Sequence, residues 1–524
     1  MPKQRYAIGQ PDFPTLRKDG ALYVDKTKYI KMLLEQRFYV LSRPRRFGKS
    51  LLISMLEQYF EGHRDLFAGL AIESEEKEWK KYPVIRIDLS NGAYSLDFGL
   101  DERLKEILKK TEEYYGLEPY VARSAAARFT SLIQRLRVKF DSQVVILIDE
   151  YEKPLLDTQE LPHFERYRGE IRDFYSVLKD QAENIKMLFI TGVTRFGHLN
   201  IFSGLNNLND ISLDERYSAI CGISEDELHE YLTPGIQDFA DRQGMTLESA
   251  MALFKSQYDG YHFSKNLLDV YNPYSLIMAL EKQEIDNVWM RSGNSTYLLR
   301  KLEEMEFDIA DLDNVGTDKD TLLGVDPDYE DPVTLLYQSG YLTIKSYDSQ
   351  YEVYHLGIPN KEVRTSLYRA IVPFYLGRKA KLTNNECLAL LSFIEEGEAE
   401  NMMRWLQEYF SRMSYNSKLF PIHDKMRLEG DFQFVIYAIL ALTCDLKGLT
   451  LERSTSNGRM DLVLETSRFV YVFEFKLGES AESAIDQINS KGYALSWEAD
   501  GRKVFKIGVS FSPETRTLTD FLIE

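Results

Sequence analysis

The chain has 524 residues, more than single hydrophobic cores reach, so several domains are expected, and its 44% apolar share is enough to fill them. Its formal charge of −18 and pI near 5.1 exclude a general nucleic-acid coat and confine any DNA contact to local basic patches. Cys221, Cys387 and Cys444 form neither a metal-ligand spacing nor a disulfide framework, and MPKQRYAIGQPDF is no signal peptide, so a soluble cytoplasmic protein without a membrane partner is expected.

Residues 22–24 read as a short strand, with Asp25 capping a helix over 26–35. Residues 38–41 are apolar and β-prone, and Leu51, Leu52, Met55, Leu56, Tyr59 and Phe60 recur at helical spacing. Between strand and helix lies RPRRFGKS, a phosphate loop whose backbone N–H groups and helix end would face a triphosphate. Lys49 would reach the β and γ phosphates, Ser50 would hold magnesium, and Gly48 opens the helix. Arg43 stands where such loops begin with glycine, and Arg43, Arg45 and Arg46 make this one unusually basic. A basic surface turn is the alternative.

Further strands are expected over 83–89, 144–150 and 186–193, with helices over 101–116 and 122–138 between them. VVILIDE ends in two acids: Asp149 would orient the magnesium shell and Glu150 would polarise the attacking water. After the following strand, Thr191, Thr194 and Arg195 are candidates to sense the γ phosphate. YVDKT, SRPRRFGKS, ILIDEYEKPL, FITGVTRF and FSGLNNLNDISLDERY resemble the bacterial AAA-ATPase-like family, which implies an α/β fold of the additional-strand type that binds ATP on a parallel sheet.

Ser224 and Glu227 form a capping box that opens a helical stretch to about 283, in which Asn272-Pro273 reads as a further cap. YDGYHF (258–263) is a polar-aromatic turn, and His262 in it reads as a packed loop histidine. The acidic stretch 308–331 reads as a linker; helix, hairpin and helix after it resemble a winged helix. Beyond 382, helices are expected over 388–408, 432–446 and 480–491, with strands over 449–452, 459–465, 469–476 and 504–511.

The hairpin GRMDLVLE–TS–RFVYVFEFK carries a second chemistry. Side chains alternate across strands, so a two-residue turn at Ser467-Arg468 sets Asp461 opposite Glu474, with Lys476 on the same face and Met460, Leu462 and Leu464 on the other. Two carboxylates can hold magnesium that would activate water to attack a phosphodiester, with Lys476 assisting and Glu429 a third carboxylate; a solvated charged face is the alternative. GRMDLVLE, VFEFKL, AIDQINSKGY and KIGVSFS resemble the PD-(D/E)xK nuclease superfamily, in which Asp461, Glu474 and Lys476 match the core triplet, Glu429 the helical glutamate and Gln487 the glutamine of the next helix.

The expected plan is an ATPase domain (1–223), a helical lid (224–300), a winged-helix-like region (301–381) and a nuclease-like domain (382–524). ATP and Mg2+ are the expected cofactors, DNA the expected partner of the C-terminal domain, and self-association is compatible with the pattern. The expected function is ATP hydrolysis coupled to DNA cleavage, in defence against foreign DNA or in mobile-element biology. The rival reading is an ATP-switched scaffold with a non-catalytic nuclease-like module.

Overall fold

The computed structural model describes residues 4–96, 99–159, 161–194, 207–289, 302, 312, 315–324, 331–376, 382–412, 425–443, 448–455, 458–497, 501–515 and 517–524. The chain divides into two compact units, Met1–Asp286 with Leu312–Lys361, and Asn287–Asp311 with Glu362–Glu524.

The first unit is built on β1 (Phe38–Ser42), β2 (Val84–Asp88), β3 (Val144–Asp149), β4 (Ile185–Gly192) and β5 (Asn209–Asp210), all parallel in the order β2-β3-β4-β1-β5. β4 separates the strand before the phosphate loop from the strand ending in the acids, which is the additional-strand arrangement. All six residues of β3 are buried because helices cover both faces, so VVILID shows no alternation. Helices Gly99–Tyr114, Ala125–Phe140 and Phe164–Asp180 share one core with Ile87, Ile146 and Ile148, where Phe129 and Phe174 stack at 4.6 Å. The helix expected over 122–138 starts later, at Ala125, because the Ser124 hydroxyl accepts the Ala127 N–H. The expected cap at Asp25 is different too: the helix is Lys28–Leu33, and Asp25 accepts from Thr27 and from the distant Ala71 N–H.

The capping box forms at Ser224–Glu227, and helices Glu225–Tyr231, Thr233–Gln243 and Leu247–Tyr258 pack around Phe239 and Phe254. The helical stretch expected to reach 283 breaks at Asp259. Gly260 there has φ +86° and lies under Pro359, whose carbonyl oxygen would be 2.4 Å from any Cβ. A short antiparallel pair, β6 (Ile223–Ser224) with β7 (Val270–Tyr271), precedes the Asn272 cap of helix Pro273–Lys282. The expected hairpin is β9 (Thr343–Asp348) with β10 (Val353–Gly357), and β8 (Val315–Thr317) adds a third strand in the order β8-β10-β9. β8 and helix Lys319–Leu323 fall inside the expected linker; elements of three and five residues leave no period to read.

In the second unit β11 (Leu449–Thr455), β12 (Gly458–Glu465), β13 (Phe469–Leu477), β14 (Lys503–Phe511) and β15 (Leu518–Ile523) follow in sequence order. Only β13 and β14 pair in parallel, joined by the crossover helix Ala481–Lys491, as parallel neighbours require. β15 was not expected: it buries only Leu518, so its apolar pattern is faint. Gly397, at φ +76°, splits the expected helix 388–408 into Asn384–Glu396 and Ala399–Ser411. Among the described residues no helix is long and apolar enough to cross a membrane.

Candidate functional site

The phosphate loop leaves β1 at Ser42 and enters helix Lys49–Phe60 through Gly48, whose φ of +96° suits glycine and whose surroundings hold no atom within 4 Å of a built Cβ. Lys49 is 5% exposed and its Nζ donates to the carbonyls of Arg43 (2.9 Å) and Pro44 (3.0 Å). Ser50 is half-buried in the first turn. Arg43 turns its guanidinium into the fold, where it donates to the carbonyls of Ser42 (2.9 Å), Ser212 (2.7 Å) and Tyr217 (3.1 Å) and lies 4.1 Å from the Phe263 ring centroid. Arg46, at φ +67°, sits 4.0 Å over Tyr274. Phe47 meets Tyr261 and Phe263 edge-on at 4.8 and 5.2 Å. Arg45 is exposed, and its charge acts on Glu150.

Asp149 ends β3, 1% exposed, and its Oδ1 accepts from Thr191 Oγ1 (2.6 Å) and from the Glu150 N–H (3.1 Å). Glu150 leaves the strand at φ +50°, a conformation sparsely populated by residues with side chains. Burial pushes its carboxyl above the usual range, opposed by Lys49 and Arg45 and reinforced by Asp149 and Asp88. Lys49, Arg45, Asp149 and Glu150 are therefore electrostatic neighbours. Thr191 is engaged by Asp149. Thr194 follows β4, and its carbonyl accepts from Tyr151 Oη at 3.1 Å. Arg195 lies outside the described residues.

In the second unit the β12–β13 hairpin closes over Ser467-Arg468, with the Thr466 N–H donating to Phe469 O at 2.8 Å and the register Leu462↔Phe473 to Glu465↔Val470. The paired ladder stops there. Just beyond it Asp461 Oδ2 accepts the Phe475 N–H at 2.8 Å, side chain in place of backbone. Glu474 is 1% exposed, and its Oε1 accepts from Lys476 Nζ (3.2 Å) and from the Gln487 amide. Burial raises the Asp461 carboxyl, opposed by the Phe475 N–H, Lys476, Gln433 and Arg459. Met460, expected on the face away from Asp461, belongs instead to the buried cluster that includes Val463, Val470, Val472 and Ile485.

Two regions of the chain match family models, a predicted AAA-ATPase at residues 7–202 and the PD-(D/E)XK nuclease superfamily at 427–521. An uncharacterised protein in the vnfD 5′ region of Azotobacter chroococcum mcd 1 is 32% identical over 532 residues, covering 100% of this chain and 99% of that protein. The chain belongs to this AAA-ATPase-like family. Its second unit carries a PD-(D/E)XK nuclease-like domain. The structure of the Aeropyrum pernix ORC1 protein in complex with DNA covers 65% of this chain and 91% of that one at 11% identity, with a TM-score of 0.25, too weak a likeness to bear on function.

In this AAA-ATPase-like protein the structure gathers Lys49, Asp149 and Glu150 at one end of the sheet, and Asp461, Glu474, Lys476 and Gln487 on one hairpin and its crossover helix. It does not bring the Arg43 guanidinium to the loop's open side. Glu429 lies in helix Lys425–Thr443, but its side chain falls outside the described residues. Sequence reasoning missed Gln433, which is 8% exposed and whose amide counters the rise of the Asp461 carboxyl. Its signal was the spacing: four residues after Glu429 is one helical turn, the same face. Among the described residues no group of three or more His, Cys, Asp or Glu side chains is placed to hold a metal, so the nuclease-like site offers two described carboxylates.

Proposed function

We propose that this AAA-ATPase-like protein hydrolyses ATP at its phosphate loop and cuts DNA phosphodiesters at Asp461 and Glu474 with magnesium, the nucleotide state setting the cutting. The observation that carries the nuclease reading is Glu474: a buried carboxylate held between an ammonium and an amide, with a second buried carboxylate on the neighbouring strand. The donor set fits the ion. Magnesium takes one or two carboxylates and fills its remaining positions with water and phosphate oxygens, and the raised Asp461 carboxyl marks a buried anion that a cation would favour. When bound, the ion would activate water and stabilise charge on the phosphate. Lys476 would neutralise charge on the same phosphate, while Gln487 holds Glu474, and Gln433, from a separate helix, would favour the Asp461 anion.

At the phosphate loop Lys49 would exchange the carbonyls of Arg43 and Pro44 for phosphate oxygens. The open space beside Gly48 fits a phosphate, Ser50 and Asp149 would hold its magnesium, and Glu150 would accept the proton of the attacking water. Thr194, with Arg195, is assigned to the γ phosphate.

Contacts within the first unit support nucleotide control. Phe47 of the loop rests on Tyr261 and Phe263; Tyr261 Oη donates to Gly340 O at 3.3 Å, and the His262 N–H donates to Thr343 Oγ1 at 2.7 Å at the start of β9. Asn360 donates to Asp259 O at 2.8 Å, one residue before this unit ends at Lys361. The test is cleavage of linear, nicked and single-stranded DNA with magnesium or with a chelator. Metal-dependent cutting that disappears in Glu474→Ala supports the proposal; binding without cutting on every DNA form favours the scaffold reading.

A further inference from the structure

The turn after β3 holds a third acid beside Asp149 and Glu150. Glu152 is 1% exposed at the head of the short helix Lys153–Leu156. Its Oε1 accepts the Val193 N–H at 2.5 Å, and its Oε2 has no hydrogen-bond partner among the described residues. The carboxyl lies against Gly192, where a Cβ would come 2.3 Å from Oε2 and 2.7 Å from the Tyr151 ring. Residue 192 therefore has no room for a side chain while Glu152 is in place. Burial pushes the carboxyl up to about 7, against the pull of the Val193 N–H and of Lys49.

The same turn grips the end of β4 twice more. The Tyr151 N–H donates to Thr191 O at 3.3 Å, and Tyr151 Oη donates to Thr194 O at 3.1 Å. From the phosphate loop the Arg43 N–H donates to Gly192 O at 3.1 Å. Residues 191–194 are thus tied both to the turn that carries Glu150 and to the loop that carries Lys49. The Thr194 hydroxyl is buried and meets no partner among the described residues.

We propose that Glu152 is a positioning residue for ATP hydrolysis: through the Val193 N–H it fixes the tip of β4, and with it Thr194, against Glu150. It touches neither nucleotide nor attacking water and acts through the backbone it holds. An acceptor oxygen at this point is the requirement; a negative charge is not. The inference rests on the assignment of ATP hydrolysis to this site.

The experiment compares wild type, Glu152→Gln and Glu152→Ala in the full chain, by ATP turnover, ATP affinity and hydrogen exchange of the peptide spanning 186–194. Gln keeps an acceptor for Val193, and Ala does not. Expected are ATP affinities within about 2-fold of wild type for both, kcat within about 3-fold for Gln, and at least about a 10-fold loss of kcat for Ala with KM unchanged, at order-of-magnitude precision. The 186–194 peptide should exchange faster in Ala only. Equal kcat in Ala and wild type, unchanged exchange in Ala, or a Gln variant as slow as Ala would each overturn the proposal. If Glu152→Ala loses the circular-dichroism spectrum of wild type, Gly192→Ala replaces it, because the added methyl displaces the Glu152 carboxyl from Val193. A wild type that binds but never hydrolyses ATP would instead refute the assigned activity, and the exchange comparison would still show whether Glu152 fixes the tip.

Discussion

Arg43 stands where glycine begins most phosphate loops, and its contacts assign it to the frame of the loop. Arg43→Met keeps the length of the stem and its packing on Phe263 but removes donors to three carbonyls, of Ser42, Ser212 and Tyr217. At about 1 kcal/mol net per hydrogen bond the loss is about 3 kcal/mol. Relief of a buried charge that has no ion-pair partner within 4 Å among the described residues offsets part of it, since burial holds the guanidinium below its usual pKa despite Asp210 nearby. A net loss of about 2 kcal/mol is expected, read as a lower urea midpoint by circular dichroism at constant slope. ATP affinity should fall only modestly, by about 3-fold or less, since the guanidinium does not face the phosphates. An unchanged urea midpoint together with a 10-fold or greater loss of ATP affinity would refute this and make Arg43 a phosphate ligand.

The buried acids give two further outcomes. Glu150→Gln should bind ATP as wild type does and turn it over at least about 100-fold more slowly, because only the proton acceptor is lost; single-turnover kinetics measures this. Asp259 is 2% exposed and raised from 3.8 to about 7 by burial, with Asp269 and Glu225 reinforcing and the Gly260 N–H and Lys255 (3.7 Å) opposing. Between pH 3.8 and 7 the folded state keeps a proton that the unfolded chain has released, so this group's contribution falls as pH rises, by about 1.4 kcal/mol per pH unit at most. Asp259→Asn should flatten that decline and exceed wild type in stability above pH 7; parallel pH–stability curves for the two proteins would contradict it.

What the sequence made legible came from local signals. β1 and β3 are apolar up to their last residues, Ser42 and Asp149, and lead into Gly48-Lys49-Ser50 and Glu150; a sheet covered on both faces produces such runs. The β12–β13 register was readable because Ser467-Arg468 can only be a two-residue turn if the flanking apolar positions are to pair. What escaped depended on partners far along the chain. The direction of the Arg43 side chain is set by Ser212, Tyr217 and Phe263, at least 169 positions away. YDGYHF carried no decisive signal because its partners come from two distant segments, Phe47 in the phosphate loop and Gly340 to Thr343 at the start of β9. β15 escaped because an edge strand with one buried residue has no alternation to show.

The most direct test of the central claim is a cleavage time course with magnesium, with and without ATP, for wild type, Glu474→Ala and Lys49→Ala. Wild type should cut DNA at a rate that changes with ATP, Lys49→Ala should cut at a rate indifferent to ATP, and Glu474→Ala should hydrolyse ATP without cutting. Cleavage that persists in Glu474→Ala, or wild-type cleavage equal with and without ATP, would contradict the account.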